Sequence, residues 1–243
     1  MGMRNILLVI LVAAVSTVTA HAQIIAIHFD GAAGDVTAAT GVVSVNADQW
    51  NEVGGASGTV DNLSVTDGTT GSSVNGLDAT YFGYDAYLSG NTNLGNLMNG
   101  YLDGNGASQG QSDGLITVTL SNIPFANYDV YAYVGADQNG RDSSAYIGDD
   151  TLFFSTAAAG ATEFSTNSDQ TAGNLPVTTL LFTDVSGSSF TYTQNGNNNN
   201  SSTGLMALEI VEIPEPGTTG MLLTTVAMLG GLTVLVRRRA LLA

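Results

Sequence analysis

Leu115-Ile116-Thr117-Val118-Thr119-Leu120 is the stretch on which the fold class turns. Ile116, Val118 and Leu120 fall on one side of an extended chain, and Thr117 and Thr119 on the other. That period of two describes a strand with one buried and one wet face. A second run, Tyr128 to Val134, repeats the pattern, with Val130, Ala132 and Val134 opposite Tyr131 and Tyr133. Ser121-Asn122-Ile123-Pro124 lies between the two runs as a turn region, so they read as an antiparallel pair.

Outward from this pair, short β-branched or aromatic runs stand between clusters of Gly, Ser, Thr, Asn and Asp. They are Ile24–Phe29, Thr59–Val65, Ser143–Ile147, Thr151–Phe154, Thr178–Phe182, Phe190–Thr193 and Leu205–Ile213. About nine strands with turn chemistry between them predict an all-β chain, an antiparallel β-sandwich of jelly-roll-like kind. Helical periodicity appears only weakly at Ala86–Met98, where Leu88, Leu94, Leu97 and Met98 sit among Gly and Asn that disfavour a helix. That segment reads as a loop with room for one helical turn. The polar tract Asn195–Ser202 reads as a hairpin loop.

Charge is unevenly placed in the 243 residues. Arg4 stands near the N-terminus, Arg237, Arg238 and Arg239 near the C-terminus, and Arg141 alone between them; there is no lysine. All 21 acidic residues lie from Asp30 to Glu215. Such a surface repels phosphate backbones and has almost no cations with which to displace counterions, which argues against nucleic acid as a partner. Cysteine is absent, so disulfides, thiolate metal sites and a cysteine nucleophile are excluded. His21 and His28 are the only histidines, too few for a multi-histidine zinc site.

The two ends carry export chemistry. Arg4, an apolar core from Ile6 to Val15 and the small-x-small Ala20-His21-Ala22 form a signal peptide over 1–22, with Gln23 expected as the mature N-terminus. At the other end stand Pro214-Glu215-Pro216, an apolar stretch from Gly220 to Val236, and Arg237-Arg238-Arg239. Pro214 and Pro216 keep the chain extended, the apolar stretch is close to the lower limit for a transmembrane helix, and the arginines act as a membrane stop. This order resembles the PEP-CTERM sorting signal of Gram-negative exported proteins. The resemblance implies that an exosortase recognises Pro214-Glu215-Pro216 and cleaves nearby, signal peptidase having acted at the other end. The expected organisation is a signal peptide at 1–22, an ectodomain at 23–212 and a sorting signal at 213–243.

The body between the signals is similar to β-sandwich ectodomains of PEP-CTERM proteins, themselves similar to galactose-binding-like jelly rolls. The residues behind this likeness are the opening Ile24–Phe29 strand, Trp50-Asn51, Tyr128–Tyr133 and the closing Gly204–Ile210 strand. The likeness implies a sugar as the ligand class.

Candidate sites within the body are few. Asp137, Asn139 and Asp142 bring two carboxylates and an amide into one short loop, the hard oxygen donors that Ca²⁺ requires. The same residue types are also common turn formers, with Arg141 at hand to pair a carboxylate. Asp103-Gly104-Asn105-Gly106 opens like a calcium loop, but Ala107 and Gly114 stand where its later ligands should be. Asp30-Gly31-Ala32-Ala33-Gly34-Asp35 reads as a strand-end turn. Trp50, followed by Asn51 and Glu52, is the candidate platform for a sugar ring, on a loop-like stretch. His28 alternates with Ile27 and Phe29 and reads as solvent-facing.

No nucleophile elbow, phosphate loop or His-Glu-x-x-His motif occurs, and the reading is of a non-enzyme. The expected function is that of an exported protein, anchored transiently in the inner membrane and then sorted to the outer envelope or medium. Its role there is structural or binding, in the extracellular matrix. A carbohydrate-binding module with a polysaccharide partner is the alternative, and a secreted hydrolase a third class.

Overall fold

A computed structural model describes residues 22–31, 34–104, 114–195, 197–198 and 201–214. In chain order the strands are β1 (Ile24–Gly31), β2 (Asn51–Gly54), β3 (Ser57–Val60), β4 (Ser64–Thr66), β5 (Gly71–Ser73), β6 (Asp78–Phe82), β7 (Asp85–Leu88), β8 (Gly100–Asp103) and β9 (Leu115–Ser121). They continue as β10 (Asn127–Gly135), β11 (Asp142–Ile147), β12 (Asp150–Thr156), β13 (Thr166–Asn167), β14 (Leu175–Val177), β15 (Thr179–Ser186), β16 (Ser189–Asn195), β17 (Asn197–Asn198), β18 (Ser201–Ser202) and β19 (Gly204–Glu212). A short 3-10 turn at Ala47–Gln49 precedes β2. The chain is all-β among the described residues.

Two sheets take up nearly all of these strands. The larger runs β13-β15-β10-β19-β1-β4-β5, with β2 added to β1 and the β7–β8 pair added to β19. The smaller runs β14-β12-β11-β16-β9-β6-β3. Inward-facing Ile25, Ile27, Val130 and Leu208 of the larger sheet join Ile116, Val118, Leu120 and Tyr192 of the smaller in one hydrophobic cluster. The alternation read in Leu115–Leu120 is present residue for residue, Ile116, Val118 and Leu120 being buried and Thr117 and Thr119 half-buried.

Three expectations need correction. The sheets are mixed, because β1–β2, β12–β14 and β13–β15 are parallel pairs. Parallel neighbours require crossover connections, and the long segment 34–50 lies in the one between β1 and β2. The strand at Leu115 does not pair with the one at Tyr128. β9 lies between β6 and β16 in the smaller sheet, whereas β10 lies between β15 and β19 in the larger. The connection between them carries buried Ile123 and Phe125 from one sheet to the other, with Asn122 in a left-handed conformation at φ 58°. The run Thr59–Val65 is likewise two strands in two sheets. Asn62 breaks it at φ 58°, fixed by Asp78 Oδ1 accepting from its N–H and by its own side chain accepting from Gly76 N–H. The Asn195–Ser202 tract is a hairpin as read, with β17 pairing β18.

The first and last strands are neighbours. β1 and β19 pair antiparallel with Ile25 opposite Ile210, and Glu212 N–H donates to Gln23 O at 2.8 Å. Gln23 N–H in turn donates to Glu212 Oε2 at 3.2 Å. Both ends of the body therefore leave it at one place.

Candidate functional site

The outer face of the larger sheet is covered rather than open. Strand alternation that sends Ile25, Ile27 and Phe29 inward sends Ile24, Ala26 and His28 outward, and from β10 and β19 the same face receives Tyr133, Met206 and Ala207. These residues meet Val36, Val45 and Trp50 of the 34–50 segment, and Leu97 and Met98, in a second buried cluster. Glu209, on the face of Ala207, is completely buried as well.

Polar side chains run through this layer. Tyr133 donates its hydroxyl proton to Glu209 Oε2 at 2.5 Å and accepts from Val42 N–H at 2.6 Å. Val43 N–H donates to the same carboxylate oxygen at 3.3 Å. The Thr40–Val45 bridge closes the hairpin carrying these amides. Gly41, at φ 105°, lies directly against Glu209, where a Cβ would strike the carboxylate. A few residues along β1, His28 Nδ1 and Glu52 Oε2 share a hydrogen bond of 2.6 Å, and Val36 N–H donates to Glu52 Oε1 at 2.9 Å. Trp50 links the two halves, its ring edge-on to His28 and to Tyr133, with 6.5 Å between centroids in each case.

Burial dominates the electrostatics here. It pushes the Glu209 carboxyl up to about 7, against the opposing pull of its hydrogen bonds from Tyr133, Val43 and Val42. Burial, then the neighbouring Glu209, pushes the Tyr133 hydroxyl well above its ordinary range. His28 Nε2, Trp50 Nε1 and Glu209 Oε1 are buried and make no hydrogen bond with the described residues. The Tyr133–Glu209 pair is sealed from solvent while Glu52 is partly exposed, so the chemistry of the layer is to hold the 34–50 segment against the sheet and to keep a proton on the Glu209 carboxyl near neutral pH.

The sequence-derived candidates fall elsewhere or in different roles. Trp50 is 6% exposed, within the second cluster, and cannot present a face to a sugar; the 34–50 segment that looks like an open loop is the lid over the ring. His28, read as solvent-facing, is fully buried because that same segment covers the outer side of its strand. Asp137 Oδ1 pairs with Arg141 Nη2 at 2.8 Å, and Asn139 Oδ1 accepts from Ala159 N–H at 2.9 Å. Gly140 turns the chain at φ 82°, and Asp142 opens β11 opposite Ser155. The turn reading accounts for this loop. Among the described residues no group of three or more His, Cys, Asp or Glu side chains is placed to hold a metal ion.

Asp103 sits in β8 opposite Asp85 and Gly204, and the rest of its loop, 105–113, lies outside the described residues. So does part of the turn after Asp30, while Asp35 is exposed. Pro214, exposed, ends the described body. Glu215, Pro216, Arg237, Arg238 and Arg239, and with them the candidate signal peptide and membrane helix, fall outside the described residues. Among those described, no helix is long and apolar enough to cross a membrane.

Sequence reasoning passed over Glu209 and Tyr133. A signal for Glu209 exists, since it is the single charge in Leu205-Met206-Ala207-Leu208-Glu209-Ile210-Val211, and a lone acid in a buried run needs partners. Nothing local in the sequence names Tyr133, Val42 and Val43 as those partners. Comparison with protein-family models, curated proteins and solved structures gives no match.

Proposed function

We propose that this chain is an exported β-sandwich of jelly-roll type that an exosortase releases from a transient inner-membrane anchor, and that it serves as a structural or binding component of the extracellular matrix. The observation that carries the reading is the order of the C-terminal residues. Pro214-Glu215-Pro216, the apolar stretch Gly220–Val236 and Arg237-Arg238-Arg239 follow one another as a recognition element, a marginal membrane span and a cationic stop. The fold is compatible with two anchors. Gln23 and Glu212 are hydrogen-bonded neighbours, which supports a reading in which segments at both ends enter one membrane.

The experiment compares wild type with a Pro214→Ala/Glu215→Ala/Pro216→Ala variant in a host that has a matching exosortase. Wild type loses its tail and reaches the outer envelope or medium, with Gln23 at its N-terminus by mass spectrometry. The variant stays full-length in the inner membrane. Identical processing of the two would end the sorting assignment.

A further inference from the structure

The outer face of the smaller sheet differs from the rest of the body in its chemistry. Register aligns Thr59 of β3 with Thr80 of β6, Thr80 with Thr119 of β9, and Thr119 with Thr191 of β16. Four threonines thus form a row across four strands, with hydroxyl contacts of 3.3 Å between Thr59 and Thr80 and 2.9 Å between Thr119 and Thr191. Two residues along, Phe82, Thr117, Thr193 and Tyr146 are aligned in the same way, with Thr193 buried and Thr117 half-buried. Phe153 of β12 faces the same way, opposite Ser144.

Threonine alone needs no special account, because β-branched residues suit the open face of a sheet. The rings do need one. Phe82 is 44% exposed, Tyr146 37% and Phe153 43%, although the interior of the fold has room for large aromatics such as Tyr128 and Tyr192. Phe82 stands at one side of the threonine row and Tyr146 at the other, three strand spacings or about 14 Å apart, with Phe153 one strand further out. The absence of charge is the second observation. In a chain with 21 acidic residues, those on the strands of this sheet stand at strand ends: Asp78 and Asp142 at corners of this face, and Asp150, at the start of β12, on the side of Leu152 and Phe154.

We infer that this face binds a neutral polysaccharide chain, stacked on Tyr146, Phe153 and Phe82 and hydrogen-bonded along the row of Thr59, Thr80, Thr119 and Thr191. A hydroxyl both donates and accepts, so hydroxyls spaced at about 4.8 Å across the strands suit a partner that is itself a repeat of hydroxyls. Aromatic faces take the C–H faces of sugar rings. Charge complementarity selects against polyanions, which the acidic flanks repel, and against cationic partners, which would find no carboxylate on the face itself. The inference rests on the reading of the chain as an extracellular matrix protein and names the material that it would bind there.

The test uses the full-length chain in detergent and measures its depletion from solution by insoluble cellulose, curdlan and chitin, with alginate as the acidic comparison. Binding to at least one neutral polymer and none to alginate is expected. A Tyr146→Ala/Phe153→Ala variant and, separately, Thr191→Glu each weaken binding at least tenfold, while Tyr87→Ala, an exposed ring on the larger sheet, leaves it unchanged. Thermal melting of every variant keeps loss of binding distinct from loss of fold. No binding to any neutral polymer, or equal effects of Tyr87→Ala and the face variants, overturns the inference. So does a concentration-dependent dimer that the face variants dissolve, since the occupant would then be a second copy of the chain. Binding without tail processing would leave this inference standing and remove the sorting reading; processing without binding would do the reverse.

Discussion

The Tyr133 hydroxyl donates to Glu209 Oε2 at 2.5 Å with both side chains fully buried. The acid is held at the centre of the larger sheet, and two backbone amides of the 34–50 segment complete its surroundings.

Stability should therefore fall as pH rises through neutrality. Burial raises the Glu209 carboxyl from about 4.5 to about 7 in the folded protein, so the folded state holds a proton that the unfolded state has lost. A raised carboxyl favours folding fully below its unfolded value and loses that contribution as pH climbs through the folded one. Over that window the loss is on the order of 3 kcal/mol. Denaturant melts at pH 5 and pH 8 measure it. Glu209→Gln, which cannot ionise, should flatten the slope between those two values; an unchanged slope would place its cause elsewhere.

Gly41→Ala should destabilise the protein by more than about 1 kcal/mol, because the position has φ 105° and the new Cβ meets Glu209. Combining it with Glu209→Ala should recover part of the loss through the space released. Additive costs in a double-mutant cycle would contradict the contact.

Trp50→Ala should cost about 3–5 kcal/mol, as removal of a buried aromatic does, and His28 and Tyr133 should lose protection with it. Chemical denaturation gives the energy. Hydrogen exchange of residues 40–52 gives the location, and a protein that melts like wild type would mean that the ring is not part of the core.

Calcium should leave the melting temperature unchanged at matched ionic strength. Asp137 is paired with Arg141, and the Asn139 carbonyl oxygen is taken by Ala159 N–H, so a cation would have to displace both partners. A difference between EDTA and excess Ca²⁺ that disappears in Asp142→Asn would restore the loop as a cation site.

The sequence displayed faces more clearly than neighbours. Ile116, Val118 and Leu120 mark their strand as half-buried because the side-chain period is local. The partners of that strand, at Ala79–Tyr81 and Phe190–Tyr192, are chosen by packing between distant segments. The nearer strand at Tyr128 is a plausible but wrong partner, since a turn and a sheet-to-sheet crossing both read as a few polar residues and a proline. His28 and Trp50 were misplaced for a related reason: alternation tells which residues share a face, but not whether a loop later covers it. The Asp137–Asp142 turn was legible because Asp, Asn and Gly fix such a loop by themselves.

Gln23 and Glu212 meet across 189 residues, and β19 lies between β1 and β10. Until residues 204–212 arrive, the larger sheet lacks its middle strand, and neither β1 nor β10 has that neighbour. A chain threaded through a membrane from its N-terminus therefore cannot close this sheet while its end is still inside. If the chain is exported as proposed, closure of the larger sheet waits for residues 204–212 to cross.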